Sequence, residues 1–190
     1  MSDQRTDDLI IIFDTTLRDG GQTRGVDFSA ADKQFIAQAL DDFGIDYIEG
    51  GWPGANPTDD MFFSKDQKLN NAKLVAFGMT RRGGRSVEND PGLNAILNAK
   101  TDATCLVGKT WDFHVTTALN IELDENLRMI TESVAAAKAR GHESMFDCEH
   151  YFDGYKANPD YALSCVQAAH QGGASLSLIH ISEPTRRTII

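Results

Sequence analysis

LIIIFDTTLRDGGQ, residues 9–22, joins an apolar run of strand length to a polar loop that contains two glycines. The run Leu9–Phe13 is continuous rather than alternating, which is typical of a strand buried on both faces, as in a parallel sheet. Arg18 and Asp19 follow shortly after that strand ends. The stretch therefore predicts a buried parallel strand whose carboxyl end carries charged side chains.

The same order of strand, polar loop and helix recurs along the chain. Ser29 and Asp32 resemble a capping pair, and Gly44 occupies the position expected for a C-terminal cap, so a helix is predicted between them. Its apolar stripe is expected to comprise Ile36, Ala39, Leu40 and Phe43. Further strands are predicted at residues 45–48, 73–77, 103–107 and 144–146, and helices at 58–69, 91–99, 124–140 and 159–171. This alternation predicts a parallel sheet with right-handed crossovers.

Two architectures fit such an alternation: a (β/α) barrel and an open, doubly wound sheet. The nucleotide-binding motifs of the open sheets, GxGxxG and GxxxxGK[ST], do not follow the first strand. Polar, glycine-containing clusters instead follow one strand after another, namely RDGGQ, EGGWPG, GMTRRGG, GKTWDFH and DCEHYFDG. Because function spread over many strand ends is typical of barrels, we predict an α/β fold of the (β/α)8 TIM-barrel type.

The composition excludes several classes of protein. The 190 residues carry 28 acidic and 18 basic side chains, a formal net charge of −10, which argues against a general binder of nucleic acid or of anionic membranes. The chain lacks the roughly 18 consecutive apolar residues of a membrane span, and its polar start, MSDQRTDD, predicts no signal or transit peptide. Cys105, Cys148 and Cys165 have no CxxC spacing and fit buried thiols in a reducing cytoplasm.

Arg18 and Asp19 are the residues best suited to chemistry. A carboxylate at a barrel mouth is a hard oxygen ligand for a divalent cation. The forked donors of an arginine suit a substrate carboxylate or an enolate oxygen. On spacing alone, a salt bridge within the loop, from Arg18 to Asp19 or to Asp14, is the simpler interpretation.

The segment FDTTLRDGGQ, residues 13–22, closely resembles the FDTTLRDGxQ signature of the α-isopropylmalate, homocitrate and citramalate synthase family, which includes related pyruvate carboxylase and hydroxymethylglutaryl-CoA lyase domains. The similarity extends from about Leu9 to about Ala174. IEGGWPGANP (48–57), KTWDFHV (109–115) and EHYFDGYKANP (149–159) look like the citramalate-synthase branch. Met79 departs from the serine expected before Thr80.

The resemblance implies a metal-dependent acyltransferase reaction of the Claisen type. Acetyl-CoA loses a methyl proton, the enolate attacks the ketone of a 2-oxo acid, and thioester hydrolysis releases the product. Pyruvate as the acceptor would give citramalate for isoleucine and leucine biosynthesis, in a homodimeric cytoplasmic enzyme. This activity is expected of the parent protein, and the chain as given, with only part of the barrel, is itself expected to be inactive. The alternatives are 2-isopropylmalate synthesis, a lyase activity of the same family, or a non-functional fragment.

The resemblance also implies roles for individual residues. Asp19 would be a ligand of a divalent ion (Mg, Mn or Zn), Arg18 the oxyanion and substrate group, and Glu149 the residue that contacts the oxo acid. Gln22 and Glu49 are weaker substrate-binding candidates. Arg81 would face a substrate carboxylate or, with Arg82, form a solvated loop pair.

The histidines are weaker candidates. His114 and His150 lie in predicted strand-end loops, where each is either a ligand or proton shuttle or has no site role. His142 and His170 lie at predicted helix ends, where we expect a surface role. The family completes its metal site with an HxH motif near the seventh strand, and the chain has neither an HxH nor an HExxH pair.

The sequence changes character after Ala174. Residues 176–187, LSLIHISEPTRR, resemble a translated transposase-type sequencing adapter. We therefore predict that residues 176–190 are a non-native tail and that residues 1–175 are the N-terminal part of a barrel domain, because whole barrels run to about 250 residues. About five of eight βα units are then expected. The alternative is a divergent tail with a short strand at residues 176–181.

Overall fold

A computed structural model of the protein describes residues 10–178. Within this range a single sheet has the order β1-β2-β3-β4-β5-β6, and every neighbouring pair is parallel. The strands are β1 (Phe13–Asp14), β2 (Tyr47–Gly51), β3 (Lys73–Met79), β4 (Ala103–Lys109), β5 (Glu143–Glu149) and β6 (Leu176–Leu178). Parallel neighbours in sequential order, joined by helical crossovers, form the wall of a partial (β/α) barrel, which confirms the predicted fold class.

Helices connect successive strands. They are α1 (Ala30–Phe43), α2 (Pro57–Phe63), α3 (Pro91–Leu97), α4 (Asp112–His114), α5 (Leu123–Ala139), α6 (Tyr151–Ala157) and α7 (Pro159–Gly172). Short 3₁₀ turns lie at Gly20–Gln22 and Val87–Asn89, and a π turn at Val115–Leu119 extends α4. No helix in the described range is long and apolar enough to cross a membrane.

The structure differs from the predicted elements in four places. The helix predicted at residues 58–69 ends at Phe63, because the Gln67 side-chain amide donates to the Phe62 carbonyl at 2.5 Å and Lys68 takes a positive φ of 47°. The first strand is Phe13–Asp14 rather than Leu9–Phe13, of which Leu9 lies outside the described residues. Helices α4 and α6 were not predicted. A sixth strand, β6, occupies residues 176–178, within the predicted tail.

Helix α1 has the predicted ends but not the predicted buried face. Ser29 forms a capping box with Asp32, and Gly44 takes the left-handed conformation at φ 93°. The predicted apolar stripe of this helix is partly wrong, because Ala39 and Phe43 are exposed whereas Lys33 and Asp41 are buried. Polar contacts explain the difference, since Lys33 bonds to Asp59 and Asp41 accepts backbone N–H groups of residues 70–72. An apolar periodicity carries no signal of such buried ionic contacts.

The sheet is packed on both faces. The larger apolar cluster lies between the sheet and the helices and includes Ile48, Phe62 and Phe146. A smaller cluster, which includes Tyr47 and Phe77, lies on the opposite face, the inner side of the barrel wall. The three cysteines are free and buried, as predicted. Because apolar side chains fill both faces of the sheet, the polar loops lie at the carboxyl ends of its strands.

Candidate active site

The loop after β1 is shaped by hydrogen bonds of its own backbone. The Thr15 carbonyl accepts the backbone N–H groups of Arg18, Asp19 and Gly20 at 2.9–3.1 Å. Asp14 accepts the backbone N–H of Thr16 at 2.9 Å and its hydroxyl at 3.0 Å. Asp14 thus fixes the start of the loop, and the tight turn places Arg18 and Asp19 just beyond the carboxyl end of β1.

Arg18 is held from three directions. Its Nε donates to Oε2 of Glu49 at 2.6 Å, and an Nη donates to Oδ1 of Asp19 at 3.1 Å. Its guanidinium carbon lies 4.1 Å from the centre of the Phe77 ring, a cation–π contact. The predicted salt bridge to Asp19 is therefore present, but the shortest contact is with Glu49 on the neighbouring strand. Sequence reasoning ranked Glu49 low and missed Phe77, because the contacts join residues far apart in the chain.

Glu49 lies in an acidic and almost fully buried position. Its side chain is 1% exposed. Burial raises the pKa of Glu49 and the negative charges of Asp147 and Asp19 add to that rise, while Arg18 lowers it, and the net shift is upward. Arg18 is therefore the cation that makes an ionised carboxylate tolerable at this point in the barrel wall.

A second ion pair joins the carboxyl ends of β4 and β5. Nζ of Lys109 lies 2.5 Å from Oε2 of Glu149, and the two residues are register partners. The Glu149 carbonyl also accepts the Thr110 hydroxyl at 2.7 Å. The predicted site residue Glu149 thus has a cationic partner that the sequence analysis did not assign. The available signal was that both residues follow a predicted strand, but the predicted ends at residues 107 and 146 are one residue out of the observed register.

The two strand-end histidines lie together beside this pair. The ring centres of His114 and His150 are 4.6 Å apart, and Trp111 lies 4.7 Å from His114. Burial lowers the pKa of His114, and the positive charges of His150 and Lys109 lower it further. His150 begins α6 in the left-handed conformation, at φ 57°. The neutral form of His114 is therefore favoured, and neither histidine contacts Asp19 in the structure.

Arg81 is bonded away from Arg18, whereas Gln22 shares a cavity with it. Arg81 is 3% exposed and donates to Glu132 at 2.6 Å and to Glu125 at 2.7 Å, both on α5. The solvated-pair alternative for Arg81 is therefore wrong, and the carboxylates that it faces belong to the protein. Gln22 is exposed and lines, with Arg18, a cavity of about 360 Å³ between the loops after β1 and β2.

The described residues do not by themselves fit a metal ion. Asp19 offers one partly exposed carboxylate, already bonded to Arg18. Over residues 10–178, no group of three or more histidine, cysteine, aspartate or glutamate side chains is arranged to hold a metal. Asp19 as a metal ligand remains a prediction that requires donors from outside this segment.

Comparisons with known proteins show which proteins this chain is similar to. The HMGL-like family model matches residues 9–182. The (R)-citramalate synthase of Aquifex aeolicus is 55% identical over 87% of this chain and 32% of that protein, and the one from Streptomyces coelicolor is 48% identical over 91% and 33%. A 2-isopropylmalate synthase of Bradyrhizobium is 31% identical over 90% and 32%. The chain thus spans about a third of the length of these relatives.

Solved structures support the fold alone. A hydroxymethylglutaryl-CoA lyase from Pseudomonas aeruginosa superposes with a TM-score of 0.64 at 16% identity. The superposition covers 89% of this chain and 57% of the lyase chain. The partial barrel described here therefore corresponds to rather more than half of that lyase chain.

Proposed function

The chain belongs to the HMGL-like family, and from that premise we propose that it is part of an acyltransferase that condenses acetyl-CoA with pyruvate to form citramalate. Members of the family generally depend on a divalent metal. We propose pyruvate as the acceptor because the chain is more similar to citramalate synthases than to 2-isopropylmalate synthases. Five (R)-citramalate synthases are 45–55% identical to it, whereas three 2-isopropylmalate synthases are 31–33% identical. The product would serve branched-chain amino-acid biosynthesis in the cytoplasm, and the whole protein would act as a homodimer.

The observation that carries the proposal is the fixed guanidinium of Arg18 at the end of β1. Glu49, Asp19 and the Phe77 ring hold it in place before any substrate arrives. A positively charged hydrogen-bond donor that is already in place stabilises an oxyanion without having to move during the reaction. The enolate of acetyl-CoA and the alkoxide of the product are both such oxyanions.

The Lys109–Glu149 pair supplies the second part of the site. An anionic 2-oxo acid needs a positive partner, and Lys109 offers one that is only partly exposed. Glu149 holds that ammonium group in position and is the residue assigned by family resemblance to contact the oxo acid. A bound divalent ion would polarise the ketone of the oxo acid. Asp19 would be one of its ligands, and the others would come from outside the described residues.

The test uses a hybrid enzyme, in which residues 9–174 of this chain replace the matching segment of the Aquifex aeolicus (R)-citramalate synthase. We expect it to release CoA thiol from acetyl-CoA with pyruvate, faster than with 2-oxoisovalerate or 2-oxoglutarate, and to form citramalate by mass spectrometry. The parent Aquifex enzyme is the positive control, and the Arg18→Met hybrid, which should be inactive, is the negative one. Preference for 2-oxoisovalerate would assign 2-isopropylmalate synthesis instead, and a soluble hybrid without turnover would refute the proposal.

We also propose that residues 176–190 are a non-native tail, on the strength of the adapter-like LSLIHISEPTRR. The structure pairs Leu176–Leu178 with β5, and the family match continues to residue 182, so a divergent native segment is the competing explanation. Sequencing the DNA across codons 174–190 in independent reads decides between them, since genomic sequence that runs through the junction would refute the tail.

A further inference from the structure

We propose that the buried ion pair between Lys33 and Asp59 is a positioning device for Arg18, acting through the irregular carboxyl end of β2. The inference rests on the proposed function for its catalytic consequence, but the geometry that it invokes is independent of which substrate is used. Lys33 lies on α1 and Asp59 on α2, and both also line the cavity that Arg18 and Gln22 share, although neither is bonded directly to Arg18.

The pair is bonded directly to the backbone of β2. Lys33 is 6% and Asp59 is 5% exposed, and their charged groups are in hydrogen-bond contact. Nζ of Lys33 also donates to the Gly50 carbonyl at 2.9 Å. The second carboxylate oxygen of Asp59 accepts the backbone N–H of Trp52 at 2.8 Å. The pair therefore holds the strand on both sides of Gly51.

The backbone between these two anchors is irregular. The register of β2 against β3 shifts between Glu49 and Gly51, so one residue is left over as a bulge. Gly51 has a φ of 148°, and a Cβ at that position would lie 2.6 Å from the Asp59 carboxylate. Bulges bend a strand and re-aim the neighbouring side chain. The conformation at Gly51 and the place of Asp59 therefore determine each other.

Glu49 is the side chain that this bulge aims. It precedes Gly50, whose carbonyl Lys33 holds, and its Oε2 makes the 2.6 Å contact with Arg18. Because a hydrogen bond of that length weakens within a few tenths of an ångström, a small shift of β2 loosens the guanidinium. A buried ion pair adds little stability over an apolar pair of equal size, so its presence here calls for a role beyond stability.

The experiment measures kcat and KM in the hybrid enzyme for Lys33→Met and Asp59→Asn, each of which breaks the pair from one side. We expect kcat to fall about tenfold while KM for both substrates changes less than about threefold, as for loss of an interaction made in the transition state. In a Glu49→Gln background, Lys33→Met should lower kcat less than about twofold further, since the charge that makes the positioned contact with Arg18 strong is already removed.

A matched control comes from Asp41, a buried carboxylate that holds residues 70–72 at the amino end of β3. Asp41→Asn should lower the melting temperature without changing kcat. Equal losses of kcat in Asp41→Asn and Lys33→Met, or an undiminished effect of Lys33→Met in the Glu49→Gln background, would overturn the inference.

Two further measurements cover the cases of misfolding and of a failed proposed function. If the single variants do not fold, the double variant Lys33→Met, Asp59→Leu removes both charges, and full kcat in a folded double variant would refute positioning. If the hybrid forms no citramalate, the proposed function fails. Crystal structures of the hybrid and its Lys33→Met variant then decide the positioning, because an unchanged Arg18–Glu49 distance would refute it and a longer one would support it.

Discussion

Replacing Glu49 by glutamine should separate activity from stability. The change keeps the shape of the side chain and removes the charge that accepts the 2.6 Å bond from Arg18. A charge-assisted hydrogen bond contributes about 1–2 kcal/mol more than a neutral one. If that difference is the energy that fixes the guanidinium for the transition state, kcat falls about 5- to 30-fold.

The free energy of unfolding should change little in the same variant. Burial and the negative charges of Asp147 and Asp19 together raise the pKa of Glu49 by more than Arg18 lowers it, so the ionised carboxylate costs stability at neutral pH. A group with a raised pKa in the folded state adds stability only at low pH, and that stability is lost as the pH rises through the folded pKa. Glutamine avoids this cost, which offsets much of the weakened bond to Arg18. We therefore expect a change of less than about 1 kcal/mol at pH 7.

The assay compares CoA release and urea unfolding at pH 7 in the hybrid enzyme and its Glu49→Gln and Asp41→Asn variants. Burial raises the pKa of Asp41, but the hydrogen bonds from three backbone N–H groups outweigh that rise, so the pKa is lowered overall. Its negative charge therefore stabilises the fold. Asp41→Asn should thus lose stability and keep kcat, the opposite pattern to Glu49→Gln. An unchanged kcat in Glu49→Gln, or a loss of kcat matched by a loss of stability, would refute the reasoning.

Three further predictions use the other ion pairs of the structure, all in the hybrid enzyme. Lys109→Met removes the cation 2.5 Å from Glu149, so KM for pyruvate should rise about 5- to 30-fold for a loss of about 1–2 kcal/mol, while Lys109→Arg should retain most of the affinity. Arg81→Met should lower the free energy of unfolding in urea by about 1–3 kcal/mol, because the charge-assisted hydrogen bonds that tie the end of β3 to two partly exposed glutamates of α5 are lost. The KM for pyruvate should then stay the same, and a tenfold rise would instead support Arg81 as a substrate-binding residue. The hydrogen bond from Arg81 lowers the pKa of Glu125 to about 2, so ionised Glu125 adds stability that is fully present above about pH 5 and lost as the pH falls towards 2. Glu125→Gln should therefore flatten the acid side of the stability curve by about 1–2 kcal/mol after solvent screening, and an unchanged slope would contradict this.

The fold class followed from the sequence because its signals are local. Continuous apolar runs, capping residues such as Ser29 and terminal glycines such as Gly44 fix where elements begin and end, and the parallel order follows from their alternation. Errors arose where a distant side chain overrides the local pattern. Gln67 ends α2 early through its bond to Phe62, and Lys33 is buried by Asp59, a residue 26 positions away.

The candidate site was predictable to the extent that its residues lie at strand ends. The motif placed Arg18 and Asp19, and the register of parallel strands brings Glu49 next to them. What each charge is paired with was not predictable, because that depends on which way a side chain points from its strand. Arg81 shows this, since it follows β3 as Arg18 follows β1, yet its guanidinium meets the glutamates of α5.

The two ends of the sheet use the same kinds of ion pair with different consequences. At the amino ends, Glu143 accepts hydrogen bonds from Lys73 at 2.7 Å and from the Tyr47 hydroxyl at 3.0 Å, which joins β2, β3 and β5 beneath the inner apolar cluster. At the carboxyl ends, Arg18 and Lys109 are each bonded to one strand-end carboxylate and keep part of their surface open. Long loops follow the carboxyl ends of the strands, whereas short turns precede the amino ends. Only the carboxyl-end edge of the sheet therefore leaves room for a substrate beside a fixed charge. The amino-end pairs therefore hold the strands in register, and the carboxyl-end pairs, with Lys33 and Asp59 behind them, set the positions of the charges that act on a substrate.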